Sequence, residues 1–178
     1  GDEFSIGSAK VGAKTLIKAG NNSTALTLNS SLDATFAGDV TYSGDLVSTT
    51  LGLNNFVAGS TAGDSILAGG NYNTLVGDNA GTAITTGDYN TGLGYNAGAA
   101  ITTGVQNTLI GGLAGDALTD ADYNVAFGYA ALTADTLGSH SVAIGHDALA
   151  SQNFASATNS YNTAVGSQAG VAVTTGIN

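Results

Sequence analysis

The stretch that decides the fold is Asn90-Thr91-Gly92-Leu93-Gly94-Tyr95-Asn96-Ala97-Gly98, because its pattern returns along the chain at a fixed step. Equivalent segments begin, at equal intervals, at Asn73, Asn90, Asn107, Asn124 and Ser141. A further copy begins at Asn162, slightly later than this period requires, and a degenerate copy begins at Asn55, slightly earlier than it requires. A short, strict period is typical of a solenoid, in which equivalent turns stack on one another.

We number each rung from its Asn, so that residue 90 is position 1 and residue 94 is position 5. In all seven copies position 4 is apolar, position 5 is Gly and position 8 is Ala. Because alternate residues of a strand share a face, positions 2 and 4 are predicted to point together into a core. The Gly predicts a backbone angle that only Gly tolerates or a close backbone approach, and the Ala predicts a tightly packed position. Stacked Asn and Thr residues are predicted to form side-chain ladders.

The chain divides into two regions on this pattern. Residues 1–54 lack the repeat and show short alternating runs, at 25–28, 34–37 and 39–42, bounded by turn residues, which predicts an extended β connector or shaft. Residues 55–178 are predicted to form an all-β parallel solenoid, or β-roll, of about seven 17-residue rungs. The rungs start at residues 55, 73, 90, 107, 124, 141 and 162.

We expect the solenoid to be a homotrimer. A lone thin coil with Ala at its centre buries little apolar surface to offset the backbone entropy of ordering each rung. Three copies around one axis would bury their apolar faces against one another and protect the sheet edges.

The composition excludes several classes of protein. Charged residues are 9% of the chain, there is no Cys for a disulfide or thiolate metal site, and the formal net charge is −10. All three basic residues, Lys10, Lys14 and Lys18, lie in the first eighteen positions. The acidic remainder repels phosphate backbones, so no nucleic-acid partner is expected. With no long apolar run, no membrane insertion is expected either. The clustered Asp residues indicate solubility, with weak Ca²⁺ capture as the alternative.

The segment from Ser141 to Ala150, SVAIGHDALA, resembles the head repeat of YadA-type trimeric autotransporter adhesins, S-V-A-I-G-x-x-A-x-A, at every fixed position. The resemblance extends less strictly over residues 55–178. It implies a trimeric left-handed parallel β-roll in which the Val and Ile of each rung face inward. The repeat of that family is usually shorter than the rungs found here.

The Asn-Thr-x-apolar-Gly-x-x-Ala-Gly form of the repeat, with its Thr-Thr-Gly return loop, more closely resembles repeats in tail-fibre proteins of tailed bacteriophages. The segment from Asp33 to Thr41, DATFAGDVT, is similar to "ATFAG-x-V-T" segments of phage fibres and other virion appendages. The resemblance implies an appendage that spaces, stiffens or presents a host-recognition tip, with no catalytic residue.

Three apparent catalytic or ligand-binding patterns have simpler explanations. Residues 92–97 match the dinucleotide-binding pattern, but the glycines belong to repeat columns and no helix is predicted to follow them. The Ser, His and Asp residues of 139–147 combine nucleophile, base and acid types, yet lie at a rung boundary where surface turns are expected. His146 could bind a metal together with its two symmetry mates if it lay on a threefold axis. However, the residues at the same position of the other rungs are chemically varied, which indicates that this position faces solvent. No enzyme activity, cofactor or metal is therefore expected.

Receptor contacts are predicted at two places. Tyr95 and Tyr129, just past the Gly turn, are expected to be exposed. The longer rung that starts at Ser141 is expected to bulge outward, which points to Asn153 and Phe154. A row of tyrosines at 72, 89, 123 and 161 closes successive rungs, either as a contact surface or as a cover over the rung boundaries.

These observations predict a non-enzymatic fibre component of a tailed phage virion that acts in host attachment. Its expected partners are further copies of itself, other virion fibre proteins and a glycan or protein receptor on the host cell. The alternative is the head of a bacterial trimeric autotransporter adhesin at the bacterial cell surface. A third hypothesis is an ice-binding solenoid, because position 13 forms a column of Thr85, Thr102, Thr119, Thr136 and Thr174.

Overall fold

The computed structural model describes residues 50–177, together with the backbone of three earlier strands. The chain divides into two compact units, Gly1–Asp45 and Leu46–Asn178. In the first unit, β1 (Thr15–Lys18), β2 (Thr24–Leu28) and β3 (Ala34–Phe36) form an antiparallel sheet in that order. Strands β2 and β3 coincide with two of the predicted runs, whereas the run at 39–42 lies outside the described residues. The shaft stays a prediction.

The second unit is a parallel β-solenoid with a 17-residue spacing and about six turns. Seven three-residue strands pair in order along one parallel sheet, and each stands at the same place in its rung. They are β4 (Phe56–Ala58), β5 (Thr74–Val76), β6 (Thr91–Leu93), β7 (Thr108–Ile110), β8 (Val125–Phe127), β10 (Val142–Ile144) and β12 (Thr163–Val165). Two shorter strands, β9 (Gly138–Ser139) and β11 (Thr158–Asn159), pair in parallel as a separate two-stranded sheet. The described residues contain no helix.

The prediction that positions 2 and 4 face the core of the coil was wrong for the single chain. The middle residue, position 3, is buried in six of the seven strands, as Leu75 and Leu109 at 1% exposure show, and Val57 of the first strand is partly buried. Position 4 points outward, and Phe127 is 53% exposed. Side chains alternate between the two faces of a strand, so an error in assigning the buried face reverses which positions are buried and which are exposed. Position 3 holds Val, Leu, Gly or Ala, and this mixture of sizes concealed that it lines a narrow interior.

The interior of the coil is closed by positions 8 and 12. The Ala at position 8 is buried in the first six rungs, which confirms the tightly packed site. Position 12 supplies larger side chains, among them the fully buried Ile84 and Leu118. The Ala at position 8 and the branched side chain at position 12 together fill most of the interior. Each such rung therefore has room for only one further large side chain.

The Gly at position 5 meets both predicted requirements. Gly94 has a φ of +136°, a backbone conformation that side chains rarely adopt. A Cβ on Gly94 would also lie 2.6 Å from the carbonyl oxygen of Gly111, its equivalent in the next rung. The stacking of rungs through this column therefore requires Gly.

The predicted Asn ladder is confirmed. Asn90 Nδ2 donates to the Gly104 carbonyl at 2.8 Å, and Asn90 Oδ1 accepts the backbone N–H of Asn107 at 3.0 Å. The same two bonds recur at Asn73, Asn107 and Asn124. One amide thus closes its own rung and joins it to the next while it is buried. The Thr column also forms its ladder, since Thr85 Oγ1 donates to the Thr102 carbonyl at 3.1 Å.

Candidate functional site

The largest candidate surface is the outer face of the seven-stranded sheet, formed by positions 2 and 4. Leu93, Phe127, Ile144 and Val165 are exposed along position 4, and Val76 and Ile110 are half-exposed. Position 2 contributes Thr, Val or Phe, so the face carries no charge. With strands about 4.8 Å apart, six steps make it roughly 29 Å long. A continuous exposed apolar strip of this kind makes this face a candidate interaction surface. We call it the outer sheet face.

Position 6 lies just past the Gly turn and carries the predicted contact residues Tyr95 and Tyr129. Both side chains are 55% exposed. Tyr129 stacks on His146 of the next rung, with ring centroids 5.6 Å apart, and His146 Nδ1 lies 3.2 Å from Asp147 Oδ2. Between the two tyrosines the column holds Gly112, which has no side chain. Both tyrosines are therefore accessible from solvent, as predicted from the sequence.

The row at the rung boundary is a column of stacked rings. Tyr72 stacks on Tyr89 at 4.8 Å, and His140 stacks between Tyr123 at 4.8 Å and Tyr161 at 5.0 Å. All five have a φ between +52° and +61°, a left-handed conformation that costs free energy in residues other than Gly. Stacking offsets part of this cost, and the tyrosines remain about half exposed.

In the longer rung, Asn153 and Phe154 differ in exposure. Asn153 is exposed, and its Oδ1 accepts a hydrogen bond from Thr136 Oγ1 at 3.1 Å. Phe154 is only 5% exposed, and it packs so closely on Gly138 that a Cβ there would lie 2.8 Å from Phe154 Cδ2. The structure does not leave Phe154 available for receptor contact, because the insertion folds this ring back onto the coil. Residues 155–157 of this segment are exposed in succession.

The insertion is anchored by a buried polar cluster that the repeat pattern did not predict. Asp135 and Gln152 occupy position 12, where the earlier rungs have Ile or Leu, and both are fully buried. Gln152 Nε2 donates to Asp135 Oδ2 at 2.6 Å and to Ser141 Oγ at 2.8 Å. The backbone N–H groups of Gly138 and Phe154 donate to Asp135 Oδ1. The sequence does contain a signal for this cluster. Asp135 and Gln152 interrupt the apolar residues of position 12, next to the longest interval between rungs, from Ser141 to Asn162.

A second ladder at position 16 was also missed. Asp88 Oδ1 accepts the N–H of Asn71 at 2.6 Å, and Asp122 Oδ1 accepts the N–H of Val105 at 2.8 Å. Ser139 Oγ accepts the N–H of Asp122 at 2.9 Å. These side chains therefore hold backbone groups of the rung before. Among the described residues, no three His, Cys, Asp or Glu side chains are grouped as a metal site would require.

The dinucleotide-binding match, the Ser–His–Asp group and the threonine column each have a structural role in the solenoid. Gly92 and Gly94 belong to a strand and its turn, and no helix follows them within the described residues. Ser141 Oγ contacts Ser160 Oγ and Gln152, while His140 is stacked between two tyrosines. The position 13 threonines are half-buried from Thr85 to Thr136, and their hydroxyls are engaged in the ladder.

The chain matches no known protein family, no curated protein and no solved structure. In the part of the chain that the structure describes, there is no helix with the length and hydrophobicity needed to cross a membrane.

Proposed function

We propose that this chain is a segment of a homotrimeric β-solenoid fibre of a tailed phage virion, with a structural, non-enzymatic role in host attachment. The observation that carries the proposal is the outer sheet face, an uncharged apolar strip that runs through all seven strands. An apolar side chain left in water forgoes about 25 cal/mol for each Å² that could be buried. A repeat that retains an apolar residue at position 4 seven times therefore favours a partner for that face.

The partner with the matching chemistry is a second and third copy of the chain. Copies related by an axis parallel to the stack keep their rungs level, so each position 4 side chain meets its own equivalents. No charge has to be buried in such an interface, because positions 2 and 4 are uncharged in every rung. The number three rests on the resemblance of the repeat to trimeric adhesin heads and phage fibres. In that arrangement the outer sheet face becomes the interior of the trimer.

Host attachment is proposed for the surfaces that this assembly leaves free. Tyr95 and Tyr129 combine exposed aromatic area with hydroxyl groups, which suits contact with a glycan or a protein receptor. Asn153, together with the exposed residues 155–157, provides a second accessible surface. The same features fit the alternative, the head of a bacterial trimeric adhesin. No observation favours ice binding, because the threonine hydroxyls from Thr85 to Thr119 donate to main-chain carbonyls.

Attachment is tested by labelling the purified protein on Lys10, Lys14 and Lys18, which lie outside the repeats, and measuring its binding to whole cells. Binding to bacterial cells supports a phage fibre, whereas binding to animal cells or matrix proteins supports the adhesin. Replacing both Tyr95 and Tyr129 with Ala is expected to weaken binding at least several-fold, while the exposed control Thr103→Ala leaves it unchanged. Absence of binding to every cell type would contradict the attachment role and leave a purely structural fibre.

A further inference from the structure

Two tyrosine side chains lie face to face on the surface of the solenoid, between its first two rungs. The ring centroids of Tyr72 and Tyr89 are 4.8 Å apart and their planes differ by 6°. Within residues 50–177 this is the one stack of two tyrosines, since each of the other stacked pairs includes a histidine. We propose that Tyr72 and Tyr89 form an oxidative cross-linking site, at which a peroxidase-type one-electron oxidant couples them into dityrosine.

The backbone holds the two rings in register. The N–H of Tyr89 donates to the carbonyl of Asn71 at 3.0 Å, and the N–H of Tyr72 donates to the carbonyl of Leu53 at 3.0 Å. Both tyrosines have a φ of 58°, so their Cα–Cβ bonds leave the chain in the same local conformation. The pair is thus kept one rung apart in the folded protein, and coupling within one chain does not depend on a chance encounter.

Both rings are accessible to an oxidant. Tyr72 is 49% exposed and Tyr89 is 55% exposed, so part of each ring edge faces solvent. Coupling needs the rings to turn from a face-to-face to an edge-to-edge arrangement. Exposed side chains change rotamer on the picosecond to nanosecond scale, which allows this rearrangement without unfolding a rung.

The chemistry is a two-electron oxidation in two one-electron steps. Each phenol loses one electron and one proton to give a phenoxyl radical, and the two radicals join by a carbon–carbon bond between ring carbons ortho to oxygen. The hydrogen on each joined carbon then moves as a proton, which restores both phenols and their aromaticity. Overall two tyrosines and one hydrogen peroxide give one dityrosine and two waters. The oxidant comes from outside the protein, as hydrogen peroxide with a haem peroxidase.

The product would tie the Asn55 rung to the Asn73 rung by a covalent bond that closes one full turn of the chain. Separation of these two rungs is an early step when a stack of repeats opens from that side. A cross-link that closes a loop also restricts the unfolded chain, which raises stability. The bond is therefore expected to raise the thermal unfolding midpoint of the oxidised protein.

The experiment treats the dilute folded chain with a haem peroxidase and hydrogen peroxide, then records dityrosine fluorescence and intact mass. Cleavage before aspartates places Tyr72 in residues 64–77 and Tyr89 in residues 88–115, and tandem fragmentation separates Tyr89 from Tyr95 in the second peptide. We expect a loss of two hydrogens per chain and a cross-link between Tyr72 and Tyr89, several-fold more abundant than any other. Tyr72→Phe and Tyr89→Phe each abolish it, and Tyr129→Phe retains it.

Circular dichroism verifies that each Phe variant stays folded, since Phe keeps the stacked ring but forms no phenoxyl radical. Fluorescence that survives in Tyr72→Phe, or a cross-link that maps mainly to Tyr95, Tyr123, Tyr129 or Tyr161, would overturn the proposal. A cross-link found only between chains on a denaturing gel would also overturn it, because the stack is within one chain.

Discussion

Leu109 and Gly115 face each other across the interior of one rung, and a Cβ on Gly115 would lie 2.8 Å from Leu109 Cδ2. In both rungs with Leu at position 3, position 9 is Gly, namely Gly81 and Gly115. In the next rung the sizes are exchanged, with Ala126 at position 3 and the fully buried Leu132 at position 9. Leu132 accepts a φ of +58° to fill the space that Leu109 fills from the other side. These two rungs therefore each place a leucine in the interior from one of positions 3 and 9, whereas the rungs that begin at Asn90 and Asn162 have only Gly or Ala at these positions.

This exchange predicts compensation between Ala126 and Leu132. Leu132→Gly leaves a cavity and is expected to lower the free energy of unfolding by about 2–4 kcal/mol, although Gly suits the left-handed backbone. Ala126→Leu crowds Leu132 and is expected to cost about 1–3 kcal/mol. The double variant restores one large side chain to this rung, so its loss of unfolding free energy, measured by denaturant unfolding, should be smaller than the sum of the two single losses. Additive losses would contradict the exchange.

The Gly column at position 5 predicts that Ala substitution destabilises the fold much more at position 5 than at position 6. Gly94→Ala puts a Cβ 2.6 Å from the Gly111 carbonyl oxygen at a φ of +136°, and is expected to destabilise the fold by roughly 3 kcal/mol or more. Gly112→Ala is the matched control, since its nearest contact would be Tyr129 Cδ2 at an ordinary 3.5 Å. That substitution should change stability by less than about 1 kcal/mol. Equal effects in thermal unfolding would refute the close approach between rungs.

The gap in the ring column predicts a stabilising substitution. Gln106 stands between the Tyr72–Tyr89 stack and the stack that begins at Tyr123, in the same left-handed conformation, with a φ of 56°. Gln106→Tyr would join the two stacks and is expected to add about 0.5–1.5 kcal/mol for each new ring pair. Gln106→Leu provides the control for apolar area without a ring. If both variants unfold at the same midpoint, stacking does not stabilise this column.

The Asn ladder predicts that an isosteric change is severe. In Asn107→Asp an acceptor replaces the Nδ2 that donates to the Ala121 carbonyl at 2.8 Å, at a fully buried site. The variant buries a charge against a carbonyl oxygen, so a loss of about 3 kcal/mol or more is expected. Thr103→Ser, at an exposed position, is expected to stay within about 0.5 kcal/mol of the unchanged protein. A loss below about 1 kcal/mol for Asn107→Asp would show that this amide is not a structural link.

The period was enough to predict the all-β solenoid, its 17-residue spacing and the Asn ladder. Each of these depends on a column in which one residue type recurs, as Gly94 and Asn90 do in theirs. Which face of the strand points into the interior of the coil could not be predicted in the same way. Position 4 is apolar in every rung, and an apolar column is expected in any buried surface, whether it lies inside one coil or between coils.

The candidate site was only partly predictable. Exposure of Tyr95 and Tyr129 followed from their place after a turn. Burial of Phe154 did not, because the folding back of the insertion depends on contacts with Gly138 and Asp135, which belong to the preceding rung. Stacking between Tyr72 and Tyr89 required the register of the rungs and the left-handed backbone at both residues, which no local pattern indicates.

The central claim, that the outer sheet face joins three copies of the chain, is tested most directly by multi-angle light scattering. The unchanged protein is predicted to have a mass of three chains. Phe127→Lys, which places a charge in the centre of that face, is predicted to shift the mass toward one chain. Thr103→Lys adds the same charge at an exposed position of the return loop and should keep three. A folded, unchanged protein with the mass of one chain or two would contradict the trimer and the fibre function built on it.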